Sequence, residues 1–173
     1  TLHSRVDFFQ CPALAQEVTA ATWPEHCEGR SLRCFRSYSL RQGDQLLALG
    51  RTQWAVLGEK GRLIPFAQSG FPEDFPFVER EGITEAPARF RDDLLPEELV
   101  QRHTVRSTDI DMGRHMNNVA YVRLLLDCFP ASVLADGKIA SMEVHYAAPC
   151  LEGEELSVLC RREGGICRMA VRK

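Results

Sequence analysis

Thr108-Asp109-Ile110-Asp111-Met112-Gly113-Arg114-His115-Met116-Asn117-Asn118-Val119-Ala120-Tyr121 is where the chain changes character. Before it, His103 to Asp109 reads as a strand. Within it, Asp111 to Asn118 is polar and carries a glycine, as a turn requires. After it, Val119, Val122, Leu125, Leu126 and Phe129 fall at helical spacing, and Pro130 closes the pattern. Asn118 is a natural cap for that helix. Three further strands are expected at Ile139–Ala147, Glu154–Arg161 and Ile166–Arg172, with a hairpin turn at Gly164-Gly165. One helix accompanied by antiparallel strands is an α+β pattern.

Upstream, the strand-prone runs are Leu2–Phe9, Ala15–Trp23 (stopped by Pro24), Leu32–Leu40 and Leu46–Leu57. Gln42-Gly43-Asp44 suits a hairpin between the last two. Residues 59–102 differ: Pro65, Pro72, Pro76, Pro87 and Pro96 are spaced among acidic residues, which predicts a stiffened linker without a core of its own. A short helix is expected near Pro96 to Val100. Val6-Asp7-Phe8 aligns with Val144-His145-Tyr146, and the same offset places Cys11-Pro12 on Pro149-Cys150 and Glu17-Val18 on Glu155-Leu156. A supersecondary unit thus occurs twice. The second copy has a helix before its strands and the first does not. The expectation is therefore a first unit over 1–58 whose helix would precede Thr1, a linker over 59–102, and a second unit over 103–173 that is one strand short.

The chain has 173 residues, of which 45% are hydrophobic and 26% charged, enough for a sizeable core or two small units. A net charge of −3 argues against a nucleic-acid partner, which asks for a basic field. A local basic patch could still receive an acidic carrier protein. No run approaches the ~18 apolar residues of a membrane span, and Thr1 to Gln10 lacks a signal-peptide pattern. Seven cysteines, Cys11, Cys27, Cys34, Cys128, Cys150, Cys160 and Cys167, form neither an even set nor a Cys-x-x-Cys pair. That argues against a disulfide framework and a zinc ribbon, and for reduced thiols in the cytoplasm.

His115-Met116-Asn117-Asn118-Val119-Ala120-Tyr121, after an acidic strand end, resembles the His-x-Asn-Asn-x-x-Tyr block of the acyl-ACP thioesterases, tandem hot-dog proteins. Ala21-Thr22-Trp23-Pro24 and Gln53-Trp54-Ala55-Val56-Leu57 look like two of that family's strand pieces. Tyr146 to Cys150 looks like the strand carrying its Glu-Cys pair. The resemblance implies a double hot-dog fold, in which each antiparallel sheet wraps around a central helix. It implies hydrolysis of fatty acyl-ACP to free fatty acid and carrier, in fatty acid biosynthesis, with no metal or organic cofactor. The implied partners are an acyl carrier protein and a fatty acyl thioester; homodimerisation stays open. Asp111 and His115 match the family's catalytic turn. Its Asn is replaced by Gly113, its Glu by Pro149, and Cys150 keeps the place of its cysteine. Glu152 is a candidate substitute for the lost carboxylate.

The chemistry stands on the residues as well. A helix start presents unpaired N–H groups and a positive dipole end that can hold a thioester carbonyl as it becomes an oxyanion. His115, just before that start, can take a proton from water or from a thiol. Asp111 can orient the imidazole and stabilise its cation. Two routes are open: water attacks with His115 as base, or Cys150 attacks first and water releases the acyl group. Asn117, Asn118 and Tyr121 are the candidate substrate contacts. An acyl-CoA thioesterase and a non-catalytic acyl-binding protein are the alternatives.

Overall fold

The computed structural model describes residues 1–77, 80–135 and 139–173; Val78 and Glu79, within the expected linker, and Asp136, Gly137 and Lys138 lie outside the described residues. The chain divides into two units: Thr1–Ala88 with Gly137–Tyr146, and Arg89–Asp136 with Ala147–Lys173.

Unit 1 is built on one antiparallel sheet. Its strands are β1 (His3–Phe8), β2 (Thr19–Pro24), β3 (Arg33–Gln42) and β4 (Gln45–Ala55), joined by a later strand, Ser141–His145, β6 in chain order. The order is β2-β3-β4-β1-β6. The β3–β4 hairpin closes where expected, with Gly43 at a φ of 55° that a side chain would resist. The second strand starts late, at Thr19 instead of Ala15, because Ala15 itself takes a φ of 62° and breaks the extended run. Trp23, Leu47 and Leu49 are buried in this unit. In the same unit Arg51 grips Glu25 through two hydrogen bonds of 2.8 and 2.6 Å, and Ser37 donates to the same carboxylate at 2.7 Å. Charged groups this sheltered stay because their hydrogen bonds are made.

The two strands of the sequence repeat are neighbours. β1 pairs antiparallel with β6, with Ser4 opposite Val144 and Val6 opposite Met142. The proline-rich stretch also differs from the expected bare linker. Its residues 59–88 belong to unit 1, where Phe71 lies 5.3, 5.0 and 6.0 Å from the rings of Phe66, Phe75 and Phe77, and Ile83 is buried. Four phenylalanines spaced along an irregular segment have no period to reveal them, yet they form an aromatic cluster once the prolines turn the backbone.

Unit 2 sets one helix on a smaller sheet. Its strands are β5 (Leu99–Thr104), β7 (Glu155–Glu163) and β8 (Ile166–Arg172), ordered β5-β7-β8. The helices are α1 (Asn118–Leu126) and the short α2 (Ala131–Ala135). The helix foreseen near Pro96 is a single 3-10 turn, Pro96–Glu98, which runs straight into β5. Arg161 of β7 holds that turn by donating to both oxygens of Glu98 at 2.5 and 2.8 Å.

Ala120 and Leu124 of α1 are buried with Val105, Met116, Cys150, Leu156 and Val158, and Tyr121, Leu125, Cys128, Met169 and Val171 pack around them. Leu156 and Val158 alternate on β7, so one face of that strand meets the helix. Each large side chain fully buried this way contributes about 1.5–3 kcal/mol. The inward face of α1 is displaced from the expected one: Val119 is 63% exposed. The expected stripe counted Val119 as apolar and passed over Ala120, which is buried on the same face as Leu124 four residues on.

Candidate active site

The turn before α1 is closed by its own backbone. Ile110 and Met116 form an antiparallel bridge, the Asp111 amide donates to the His115 carbonyl at 3.1 Å, and the Arg114 amide donates to the Asp111 carbonyl at 3.0 Å. Closing the loop this tightly puts Arg114 at a φ of 60°, an unfavourable position for a non-glycine residue. The exit is pinned twice: the Met116 amide donates to the Cys150 carbonyl and the Asn117 amide to the Asp109 carbonyl, both at 2.8 Å. Asp109 also braces the entry, accepting from the Arg106 amide and from His103 Nε2 at 2.9 Å each. Burial works against the charged Asp109 carboxylate, but the Arg106 amide and His103 outweigh it, so its pKa is lowered.

Within this frame Asp111 and His115 meet. His115 Nδ1 is 3.7 Å from Asp111 Oδ1, with the imidazole 47% and the carboxylate 32% exposed. That is a loose pair, beyond hydrogen-bond length, and such pairs tighten on substrate binding in many enzymes. Asp111 Oδ1 is meanwhile held by the Gly113 amide at 2.7 Å. Gly113 is the residue that lets both side chains fold over the turn: a Cβ there would stand 2.9 Å from Asp111 Oδ1 and 2.9 Å from His115 Nε2.

The helix cap is Asn117 instead of the expected Asn118. Its side-chain oxygen accepts from the Val119 amide at 2.8 Å, and its carbonyl accepts from the Ala120 and Tyr121 amides. The two asparagines are adjacent, so which one caps depends on where the backbone leaves the extended region, and Asn117 has φ −65° and ψ 143°. With three amides engaged by Asn117, the Asn118 amide is the donor at this helix end that has no acceptor among the described residues.

Tyr121 and Cys150 form the second group. Cys150 is 5% exposed, in the apolar cluster under α1. The Tyr121 hydroxyl faces it; burial first, and then the neighbouring thiol, raise the tyrosine pKa well above its ordinary value. The site residues therefore fall into two layers. Asp111 and His115 are at the surface, Cys150 and Tyr121 lie beneath, and the Met116–Cys150 backbone hydrogen bond joins the layers. Pro149 and Glu152 are both exposed. His103 and Asp109 make a tighter histidine–carboxylate pair than the expected one, and sequence spacing gave no sign of it. An open cavity of about 390 Å³ lies in unit 1 against Trp23, Arg41, Arg80 and Glu81, away from all these residues in sequence.

An antiparallel sheet packed on a helix is the hot-dog arrangement. An acyl-ACP thioesterase from Bacteroides thetaiotaomicron shares the fold with a TM-score of 0.82 at 22% identity, over 99% of this chain and 69% of that one. A MaoC-like dehydratase from Phytophthora capsici shares it more distantly, with a TM-score of 0.59 at 14% identity, over 99% of this chain and 65% of that one. Residues 94–171 match the acyl-ACP thioesterase C-terminal domain. It is 21% identical to a chloroplastic oleoyl-acyl carrier protein thioesterase of Coriandrum sativum, over 94% of this chain and 47% of the relative. The chain thus spans about half the length of that relative.

Proposed function

We propose that this chain carries the catalytic turn of a fatty acyl-ACP thioesterase, in which His115 activates water against the thioester carbonyl. The observation that carries the reading is the half-exposed His115 held 3.7 Å from Asp111 directly before α1. His115 takes a proton from the attacking water, and Asp111 stabilises the resulting imidazolium. The Asn118 amide, at the positive end of α1, is the donor for the oxyanion. Collapse of the tetrahedral intermediate expels the carrier's thiolate, which takes the proton back from His115 and leaves the fatty acid.

Exposed apolar side chains beside the base suit a greasy acyl group: Met112 is fully exposed and Val119 63% exposed. Direct attack by water fits the layering better than attack by Cys150. A nucleophilic thiol needs a lowered pKa and access to the carbonyl, and Cys150 is enclosed by apolar side chains with Tyr121 beside it. We assign Asn117 to holding the turn, and Asn118 and Tyr121 to the substrate side of the site. Acyl carrier protein is the carrier this reading takes over coenzyme A, which the match of residues 94–171 supports. The setting is fatty acid biosynthesis in the cytoplasm, which accords with seven free thiols; no helix among the described residues is long and apolar enough to cross a membrane.

The test is thiol release from medium- and long-chain acyl-ACP and acyl-CoA, comparing wild type with His115→Ala. Turnover of acyl-ACP that His115→Ala abolishes supports the reading. Preference for acyl-CoA replaces the substrate, and tight acyl binding without turnover of any thioester replaces the enzyme by an acyl-binding protein.

A further inference from the structure

Three ligand-type side chains converge on the unit 1 sheet, on strands the thioesterase reading does not use. His3 on β1 and His145 on β6 are opposite one another in register, and their rings meet edge to face with centroids 4.7 Å apart. Glu143 lies two residues before His145, hence on the same face of β6. Its Oε1 is 2.7 Å from His3 Nε2. One donor atom from each of the three lies within 4.8 Å of the other two. His3 is buried at 4% exposure and Glu143 is mostly covered, while His145 is exposed, so the group is walled on one side and open on the other.

We propose that His3, Glu143 and His145 form a binding site for a transition-metal dication of the zinc type. Two imidazoles and one carboxylate make the donor set such ions select, with a fourth, tetrahedral position left to water or another ligand. Calcium and magnesium would ask for more oxygens. Outer contacts already hold the donors in place. The Ala88 amide donates to Glu143 Oε1 at 2.8 Å, and the His145 ring is hydrogen-bonded to the Ala88 backbone. Ligating histidines and carboxylates are commonly oriented by such partners. Donors about 2.0 Å from a zinc ion stand roughly 3.3 Å apart in a tetrahedron. Metal binding would therefore open the 2.7 Å His3–Glu143 pair slightly and draw His145 closer to it.

The consequence is a cross-strand staple. His3 and Glu143 are 140 positions apart, so a bound metal would fasten β6 to β1 and add directly to the stability of the unit 1 sheet.

The experiment uses the reduced full chain, stripped with chelator and titrated with Zn(II) and, for its visible spectrum, Co(II). His145→Ala and Glu143→Gln are the test variants. A Cys160→Ser/Cys167→Ser double variant is the control, because those two sulfurs lie 3.2 Å apart and are the other plausible metal donors. Expected are one equivalent of Zn(II) and a melting temperature that rises with added metal in wild type and in the cysteine variant, a Co(II) spectrum without a thiolate band, and affinity at least ~10-fold weaker in His145→Ala and Glu143→Gln. Binding that survives in both of those variants, that disappears in the cysteine variant, or that is absent from wild type overturns the proposal. Thioesterase turnover is not part of the readout, so this test can fail without touching the proposed function.

Discussion

The Gly113 amide donates to Asp111 Oδ1 at 2.7 Å, and the same oxygen faces His115 Nδ1 at 3.7 Å. The carboxylate is thus positioned by the backbone of its own turn. A short closed turn would do for Asp111, in the proposed role, what a buried second residue does in known acid–base pairs.

His115→Ala removes the proposed base and is expected to lower kcat for acyl-ACP about 10²–10⁴-fold with the fold unchanged. Asp111→Asn should cost less, because the turn hydrogen bond from Gly113 can be kept by the amide oxygen. Steady-state kinetics beside a far-ultraviolet circular dichroism spectrum measure this. Equal activity in His115→Ala and wild type would remove histidine from the mechanism.

Gly113→Ala places a methyl 2.9 Å from both Asp111 Oδ1 and His115 Nε2. Those atoms are the ends of movable side chains, so the chain should fold and the imidazole should swing away. A displacement near 1 Å at a reacting group can cost up to ~100-fold in rate. An unchanged kcat in a normally folded Gly113→Ala would show that the ring position seen here is not the reactive one.

Asn117 and Asn118 separate cleanly by stability. Asn117→Ala loses the cap on Val119 and is expected to destabilise by about 1 kcal/mol. Asn118→Ala, which removes no described cap, should stay within ~0.5 kcal/mol. Urea unfolding of the two variants decides, and the reverse order would move the helix start by one residue.

Cys150→Ser tests the two chemical routes. If water attacks directly, turnover should change only a few-fold, while stability falls by about 1–3 kcal/mol for a hydroxyl placed in an apolar cluster. A rate that collapses although the folded fraction is intact would instead make the thiol the nucleophile.

Asp109 gives the turn an acid limit. Its pKa is lowered in the folded chain, so its contribution is present above the unfolded carboxylate value of about 4 and is lost as pH falls through the folded value. Thermal melts from neutral to acidic pH should show a shallower decline for Asp109→Asn than for wild type. Parallel curves would mean the Arg106 and His103 contacts do not stabilise the charged form.

The strands, the hairpins at Gly43 and Gly164-Gly165, the helix after the polar turn and the pairing of Asp111 with His115 were legible in the sequence, because each is set by neighbours a few residues away. Alternation, turn glycines and i to i+4 spacing are local signals. What depended on contact was not legible. Which face of α1 goes inward was decided by packing in the apolar cluster, which buries Ala120 with Leu124 and leaves Val119 exposed. The aromatic cluster around Phe71 and the tight His103–Asp109 pair needed the backbone to turn first. His3, Glu143 and His145 lie at opposite ends of the chain, and only the β1–β6 register, a consequence of strand pairing across the whole sheet, brings them onto one face.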